Sequence, residues 1–376
     1  VDFSFTDDQE ALSGLARQIL TDRVTHDSLA ELERSGAERF DRSLWKELAA
    51  ADLLGAGLPE DVGGLGGGVV DQALVLREVG RTLAPVPVAA AIAAGAVPVA
   101  RFGTADQREA WARGAVEGRA IVVPALAEPH NRDALAPSTT AVRTGDGWRL
   151  DGVKTAVPAG TVADALLVPA RAEDGRPLVF LVDPAAAGVT VAAQRTTNYD
   201  IAGLVRLDGV TVGDDAVLGG ADGVDRGPEA LEAIAQHATV ALCAQQLGVV
   251  ERSVELIAEY TKGRVQFERP IATFQAVGHR AADAYIDSEG IRLTLWQAAW
   301  KLDAGLPAAM EVATAKFWAA EGGHRVAHAI VHLHGGMGVA LDYPAHRYFV
   351  HAKQIELSLG GATEQALRIG AALAAD

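Results

Sequence analysis

His324 and His328 stand four residues apart, which on a helix puts both rings on one face at a spacing that suits a metal ion. The sequence offers no evident carboxylate or third ligand beside them, and the spacing by itself is common. Acyl-enzyme and phosphate chemistry fare no better, because no Gly-x-Ser-x-Gly, Walker loop or paired cysteine motif is present. His237 lies on a helix among Ala and Val, where a histidine is more often structural than catalytic. Arg264 carries a fixed fork of donors suited to an anion. Taken singly, it reads as a surface cation, Phe267 as a core residue and Gly335-Gly336 as a helix stop.

The elements that must position these residues follow from hydrophobic period. Up to about residue 118 the pattern is helical: Thr6-Asp7-Asp8-Gln9 has capping-box spacing, followed by Leu12, Leu15, Ile19 and Leu20 at helical intervals. Asp41 to Leu54 and Val69 to Leu83 repeat it, separated by a loop from Leu58 to Gly68 that is too rich in Pro and Gly to continue a helix. From about 119 to 219 short apolar runs take over, at Ile121 to Val123, Ala165 to Val168, Leu178 to Val182 and Val189 to Val191. Turn signals at Thr144-Gly145-Asp146-Gly147 and Asp151-Gly152 mark a compact β domain. Beyond about 224 four long helical segments and a short terminal one are expected, with breaks near Lys262-Gly263, Gly305-Leu306-Pro307, Gly335-Gly336 and Gly360-Gly361.

Composition limits the partners. At 376 residues and 49% apolar the chain can bury a core in two or three domains. A formal net charge of −16 opposes binding to nucleic acid or an anionic membrane, so a small anionic ligand would need local Arg or Lys. The single cysteine, Cys243, lies in an apolar helical run and reads as a reduced, buried thiol. Val1-Asp2-Phe3-Ser4-Phe5 lacks signal-peptide character, and the alanine-rich tract near 84–100 is too weakly hydrophobic to span a bilayer, so the cytoplasm is expected.

Five segments in fixed order carry a resemblance. They are Pro59-Glu60-Asp61-Val62-Gly63-Gly64-Leu65-Gly66, Phe102-Gly103-Thr104-Ala105-Asp106-Gln107-Arg108, Asp151-Gly152-Val153-Lys154, Arg264-Val265-Gln266-Phe267 and His334-Gly335-Gly336-Met337-Gly338. With the helix, strand, helix layout, they make the sequence similar to the acyl-CoA dehydrogenase family over essentially its whole length. The resemblance implies an α+β chain with that family's fold: a helical domain over 1–118, a β-barrel domain over 119–223 and a C-terminal four-helix bundle over 224–376, the terminal helix following Gly361.

It also implies FAD shared at a subunit interface, with contacts in two sets. Arg264, Phe267, Gln275, His332, Gly335 and Gly336 match the set that reaches the pyrophosphate and adenosine of the adjacent subunit's flavin, His332 standing where the family usually has Gln. The set that holds the flavin ring is largely lost. Glu128-Pro129 survives, but Ala125 to Asp133 lacks the family's small hydroxyl and glycine residues, and Ala156 and Pro158 replace an aromatic and a Thr. The base is missing too: Gly360 stands at the usual Glu position and Ala238 at the alternative one, with His237 one residue away.

The resemblance therefore implies the non-catalytic subunit of a heteromeric α2β2 acyl-CoA dehydrogenase, whose partner subunit carries the catalytic Glu. A steroid side-chain CoA is the implied substrate and electron-transfer flavoprotein the implied acceptor. Two rivals stay open: a self-sufficient flavoenzyme using His237, and a flavin-free scaffold of the same fold.

Overall fold

The structure, a computed structural model, describes residues 4–35, 38–145 and 147–375; Val1, Asp2 and Phe3 of the N-terminal reading and Asp146 of the expected turn lie outside them. Helix α1 (Asp7–Arg23) begins with a closed capping box, the Thr6 hydroxyl accepting from the Gln9 N–H and the Gln9 side chain from the Thr6 N–H. Its expected apolar stripe is only partly inward, since Leu20 is buried with Ala16 while Leu15 is 41% exposed. Helices α2 (His26–Ser35) and α3 (Arg42–Ala50) follow, the latter capped by Asp41. The helix expected to reach Leu54 stops at Ala50 because Asp52 turns left-handed, φ +59°, leaving Leu53–Gly55 as one 3-10 turn. The Gly-rich loop leads to α4 (Val69–Thr82) and holds a single 3-10 turn at Glu60–Val62. A Cβ on Gly64 would stand 2.1 Å from the Leu58 carbonyl oxygen, so the loop folds back on itself only with glycine there.

The alanine tract is a buried π-helical turn, Ala89–Ala96, running into α5 (Val97–Phe102). Then come α6 (Ala105–Gln107), a π-helical stretch Arg108–Arg113 and α7 (Gly114–Val116). Seven strands form one sheet: β1 (Val122–Pro124), β2 (Thr140–Thr144), β3 (Gly147–Pro158), β4 (Ala165–Ala172), β5 (Pro177–Val182), β6 (Val189–Arg195) and β7 (Ile201–Val212). Their order is β1-β4-β2-β3-β7-β6, with β5 pairing β4; pairing is antiparallel except where β4 meets β1 and β2. Among the described residues the path ends at β1 and β6, with β5 branching from β4, so hydrogen bonding leaves a curled sheet rather than closing the expected barrel. Apolar runs had marked β1, β4, β5 and β6; in the three strands they missed, buried positions are scattered among partly and fully exposed ones.

After α8 (Gly220–Gly223) come α9 (Gly227–Gly263), a hairpin of β8 (Val265–Gln266) and β9 (Arg269–Pro270), α10 (Gln275–Asp303), α11 (Ala309–His334), α12 (Ala345–Leu357) and α13 (Ala362–Ala375). Three of the four expected helix breaks fall between these elements, and the fourth, Lys262-Gly263, is the end of α9. Cys243 is fully buried and free, and burial pushes its thiol up to about 12.

The chain forms two compact units, one of Val1–Ala37, Ala73–Ala84 and Thr239–Asp376, the other of Glu38–Gln72 and Pro85–Ala238. In the first, α4 and α9 approach backbone to backbone: a Cβ on Gly248 would lie 1.9 Å from the Arg77 carbonyl oxygen, and one on Gly80 2.1 Å from that of Gln245. Buried Gln246 donates to the Ala319 carbonyl, and buried Lys316 donates to those of Ile355 and Glu356, tying α9 to α11 and capping the end of α12. In the second unit the alanine tract lies against the sheet, where a Cβ on Gly95 would meet the Val122 carbonyl oxygen at 1.9 Å. No helix among the described residues is long and apolar enough to cross a membrane.

Candidate functional site

In the first unit, the end of α9 delivers Arg264 to the hairpin. Its N–H donates to the Tyr260 carbonyl at 2.8 Å and its carbonyl accepts from Ile271 at 2.8 Å. Phe267 and Glu268 form the turn with φ of +51° and +64°, the two consecutive left-handed residues of a tight hairpin, which usually calls for Asn-Gly. The turn holds Phe267 86% exposed, edge-on to Phe274 at 6.1 Å, with Arg269 stacked over Phe274 at 4.2 Å. Phe267 is thus not a core residue: about 2 kcal/mol of burial is left unrealised within this chain. The exposed Arg264 guanidinium has no partner among the described residues, and Gln275 opens α10, also exposed.

The end of α11 meets the end of α9 through a ring stack, Tyr260 on His334 at 4.4 Å with Tyr343 at 5.2 Å from the same imidazole. Nδ1 of His334 contacts the Ile330 carbonyl at 2.7 Å; a carbonyl only accepts, so Nδ1 carries the proton. Nε2 is then an acceptor, buried and without a partner, and burial pushes the imidazole pKa down. Gly335 takes φ +59° and ψ −136°, a combination open to glycine alone. Gly336 has no such constraint, and a Cβ on it would meet nothing within 4 Å. Nothing in its own chain requires glycine there, and the backbone of the pair is exposed, as is His332. The structure therefore gathers Arg264, Gly335 and Gly336 at one end of the bundle, with the hairpin and Gln275 following directly. Sequence reading named His334 only as the start of a marker segment, and its stacking on Tyr260 comes from the fold.

In the second unit, the segment from Leu126 to Thr139 is pinned by one buried ion pair. Lys154 Nζ lies 2.7 Å from Glu128 Oε1 and 2.7 Å from the Pro169 carbonyl oxygen, with Lys154 fully buried. The Glu128 carboxylate also accepts from the Thr139 N–H at 2.9 Å, its hydroxyl at 2.6 Å and Asn131 Nδ2 at 2.9 Å. Burial would raise its pKa, but the Lys154 charge and these donors hold it at about 2. Burial pushes Lys154 down against the pull of Glu128; with two oxygens accepting at 2.7 Å, the ammonium form fits the geometry. Gly152 is required by the same packing, since a Cβ on it would lie 2.5 Å from the Thr139 hydroxyl. Beyond Lys154 the β3–β7 register shifts, and Ala156 at φ +47° gives its N–H to Gln194 Oε1 at 2.7 Å. Ala156 thus offers a methyl group, and Pro158 no N–H.

The expected base positions differ from one another. Gly360 sits at φ +94° after Leu359 at +55°, and both carbonyls accept from Gln365 Nε2, at 3.4 and 3.0 Å. Ala238 is buried. His237 is 8% exposed with Nδ1 unpartnered, and burial pushes its pKa to about 4, so it is neutral near pH 7. On α11, His324 and His328 do have a carboxylate beside them: Glu356 of α12 lies 3.2 Å from His324 Nδ1, with Lys353 Nζ at 2.9 Å from the same nitrogen. Spacing along one helix could not reveal a neighbour on another. Among the described residues no group of three or more His, Cys, Asp or Glu is arranged to hold a metal.

Two family models match the chain: Acyl-CoA dehydrogenase, N-terminal domain, over residues 6–119, and Acyl-CoA dehydrogenase, C-terminal domain, over residues 225–374. It is 43% identical to the acyl-CoA dehydrogenase FadE27 of Mycobacterium tuberculosis, an alignment spanning 100% of the chain and 99% of that protein. The chain belongs to the acyl-CoA dehydrogenase family. That family is a class of FAD-dependent oxidoreductases. Among solved acyl-CoA dehydrogenase structures, the ChsE4-ChsE5 complex from Mycobacterium tuberculosis includes a chain with TM-score 0.93 and 44% identity, each chain covered in full. A single-substitution variant of the Tcur3481-Tcur3483 steroid ACAD gives TM-score 0.90 and 44% identity, with 98% of each chain covered.

Proposed function

We propose that this chain is the acyl-CoA dehydrogenase subunit that completes a partner's FAD site while holding no base of its own. The observation that carries this is Gly360: it occupies the position of the family's catalytic Glu in a left-handed turn, φ +94°, where an L side chain is strained. Its similarity to chains of the ChsE4-ChsE5 complex and of a steroid ACAD supports a heteromeric α2β2 assembly and a steroid side-chain CoA as substrate. The same reading divides the chain into domains at 1–118, 119–223 and 224–376, which the ranges matched by the two family models support. An electron-transfer flavoprotein is the acceptor this reading calls for.

The residues fit one end of the cofactor. Arg264, unpaired and exposed, presents a guanidinium fork suited to two phosphates. The backbone at Gly335 and Gly336 is open to close approach, Phe267 offers an uncovered ring, and Gln275 and His332 offer polar groups for the adenosine side. The ring end does not fit: Ala156 and Pro158 supply neither an aromatic surface nor a free N–H. Held there, FAD would supply the hydride acceptor for the β carbon of an acyl thioester, and a protein base would have to take the α proton. Gly360 and Ala238 cannot take that proton, and His237, with a pKa of about 4, is a weak acceptor for it.

Co-expression with a dehydrogenase homologue that carries the catalytic Glu tests this reading. The complex should be yellow and active, and this chain alone colourless and inactive. A flavin-loaded, active preparation of this chain by itself would favour the self-sufficient enzyme. A complex whose flavin content ignores Arg264 would favour the scaffold.

A further inference from the structure

Arg280 stands seven residues before Asp287 and four before Ala284, both on the inward face of α10, so it starts from the side of the helix that packs on the bundle. Its Nε is buried and has no hydrogen-bond partner, and among the described residues no carboxylate pairs with its guanidinium. The level it reaches follows from the packing of α10 on α11. Asp287 accepts from Arg325 Nε at 2.9 Å, and Cβ atoms on Gly322 and Gly290 would lie 3.4 Å from the Asp287 carbonyl oxygen and 2.7 Å from the Trp318 ring. The two helices therefore run antiparallel, with Asp287 opposite 322–325. Seven residues back along α10 are about 10 Å, which brings Arg280 level with about 329–332, just before Gly335. The guanidinium is near enough to His328 of α11 to help push that imidazole down, after burial, His324 and Lys353.

Burying a charged donor without an acceptor costs stability, so this position calls for an acceptor from outside the chain. We infer that Arg280 supplies a second guanidinium to the flavin pyrophosphate, alongside Arg264; the inference rests on the proposed cofactor reading of that end of the bundle. A pyrophosphate joining two nucleotide halves carries a negative charge on each phosphate. Arg264 offsets one, and on a chain of net charge −16 the other would remain uncompensated. A guanidinium suits that place because it stays charged when buried and presents its N–H groups in one fixed plane. Since Arg264 comes from the hairpin and Arg280 from α10, the diphosphate is held from two separate elements, which sets its direction as well as its charge. Arg280 lies outside the five marker segments; its orphaned Nε is what singles it out.

The test uses the complex co-expressed with the dehydrogenase partner, stripped of flavin and titrated with FAD, ADP and adenosine. Arg280→Met should weaken FAD and ADP binding about 10- to 150-fold and leave adenosine binding unchanged, because only the first two carry the diphosphate. Arg280→Lys should recover part of the loss. In the flavin-free complex, Arg280→Met should leave the melting midpoint unchanged or raise it, since it removes an orphaned donor. A lowered midpoint would give the guanidinium a structural role or a carboxylate of the partner chain, and would overturn the proposal. So would an equal loss of adenosine binding. If Arg264→Ala weakens ADP binding and Arg280→Met does not, this proposal falls and the cofactor reading stands; if neither weakens it, the cofactor reading falls as well.

Discussion

Lys154 and Glu128 form an ion pair at 2.7 Å in which the lysine is fully buried and the carboxylate side chain is 3% exposed. Glu128 has a folded pKa of about 2, below its ordinary 4.5, so its contribution is fully present above pH 4.5 and is lost as pH falls toward 2. The size is on the order of 3 kcal/mol. Urea midpoints measured from about pH 5 to about pH 3 should fall. Glu128→Gln should lower stability at pH 7 by about 3–5 kcal/mol, because it strands a buried ammonium, and should flatten the acid dependence. Adding Lys154→Met should recover part of the loss; an unchanged acid limb in Glu128→Gln would contradict the assignment.

Arg264 should govern flavin retention in the complex. A charge-assisted contact contributes roughly 1.5–3 kcal/mol, so Arg264→Ala should weaken flavin affinity about 10- to 150-fold. Arg264→Lys should recover only part, since an ammonium cannot bridge two oxygens as the fork does. Flavin absorbance and titration of each complex, with circular dichroism to establish folding, give the measurement.

Gly360→Glu should not create activity in this chain alone. Its φ of +94° costs an L residue about 1–2 kcal/mol, and Gln365 Nε2 lies 3.0 Å from where the new Cβ would be. Ala156 and Pro158 leave the ring side unsupported in addition. Turnover near that of an ordinary family member would show that this chain's own pocket is competent.

Gly248→Ala should destabilise the first unit by about 1–3 kcal/mol through overpacking. The added methyl would lie 1.9 Å from the Arg77 carbonyl oxygen and 2.6 Å from the Arg81 nitrogen, backbone atoms that cannot rotate away. Thermal unfolding measures it. Gly370→Ala inside α13, with nothing within 4 Å of the new methyl, should instead stabilise by about 0.5–1 kcal/mol.

Helix and strand order, the four breaks in the C-terminal half and the Thr6 capping box were legible in the sequence, because each depends on local hydrogen bonding, glycine or a hydrophobic period. The same local chemistry set the absence of a carboxyl group at positions 360 and 238. What tertiary structure decided was contact between residues far apart in the chain. Glu356 beside His324, Tyr260 against His334, the Gln194 amide on the Ala156 N–H and the outward turn of Phe267 depend on how separate helices and strands pack. Strands β2, β3 and β7 escaped notice for a related reason: with buried positions scattered among exposed ones, their apolar residues do not form runs. The open path of the sheet was equally hidden, since closure depends on which edges meet. Sequence determined which groups this chain can and cannot offer to a reaction, because side-chain identity is local; only the fold decided which of them are uncovered, since exposure is a property of packing.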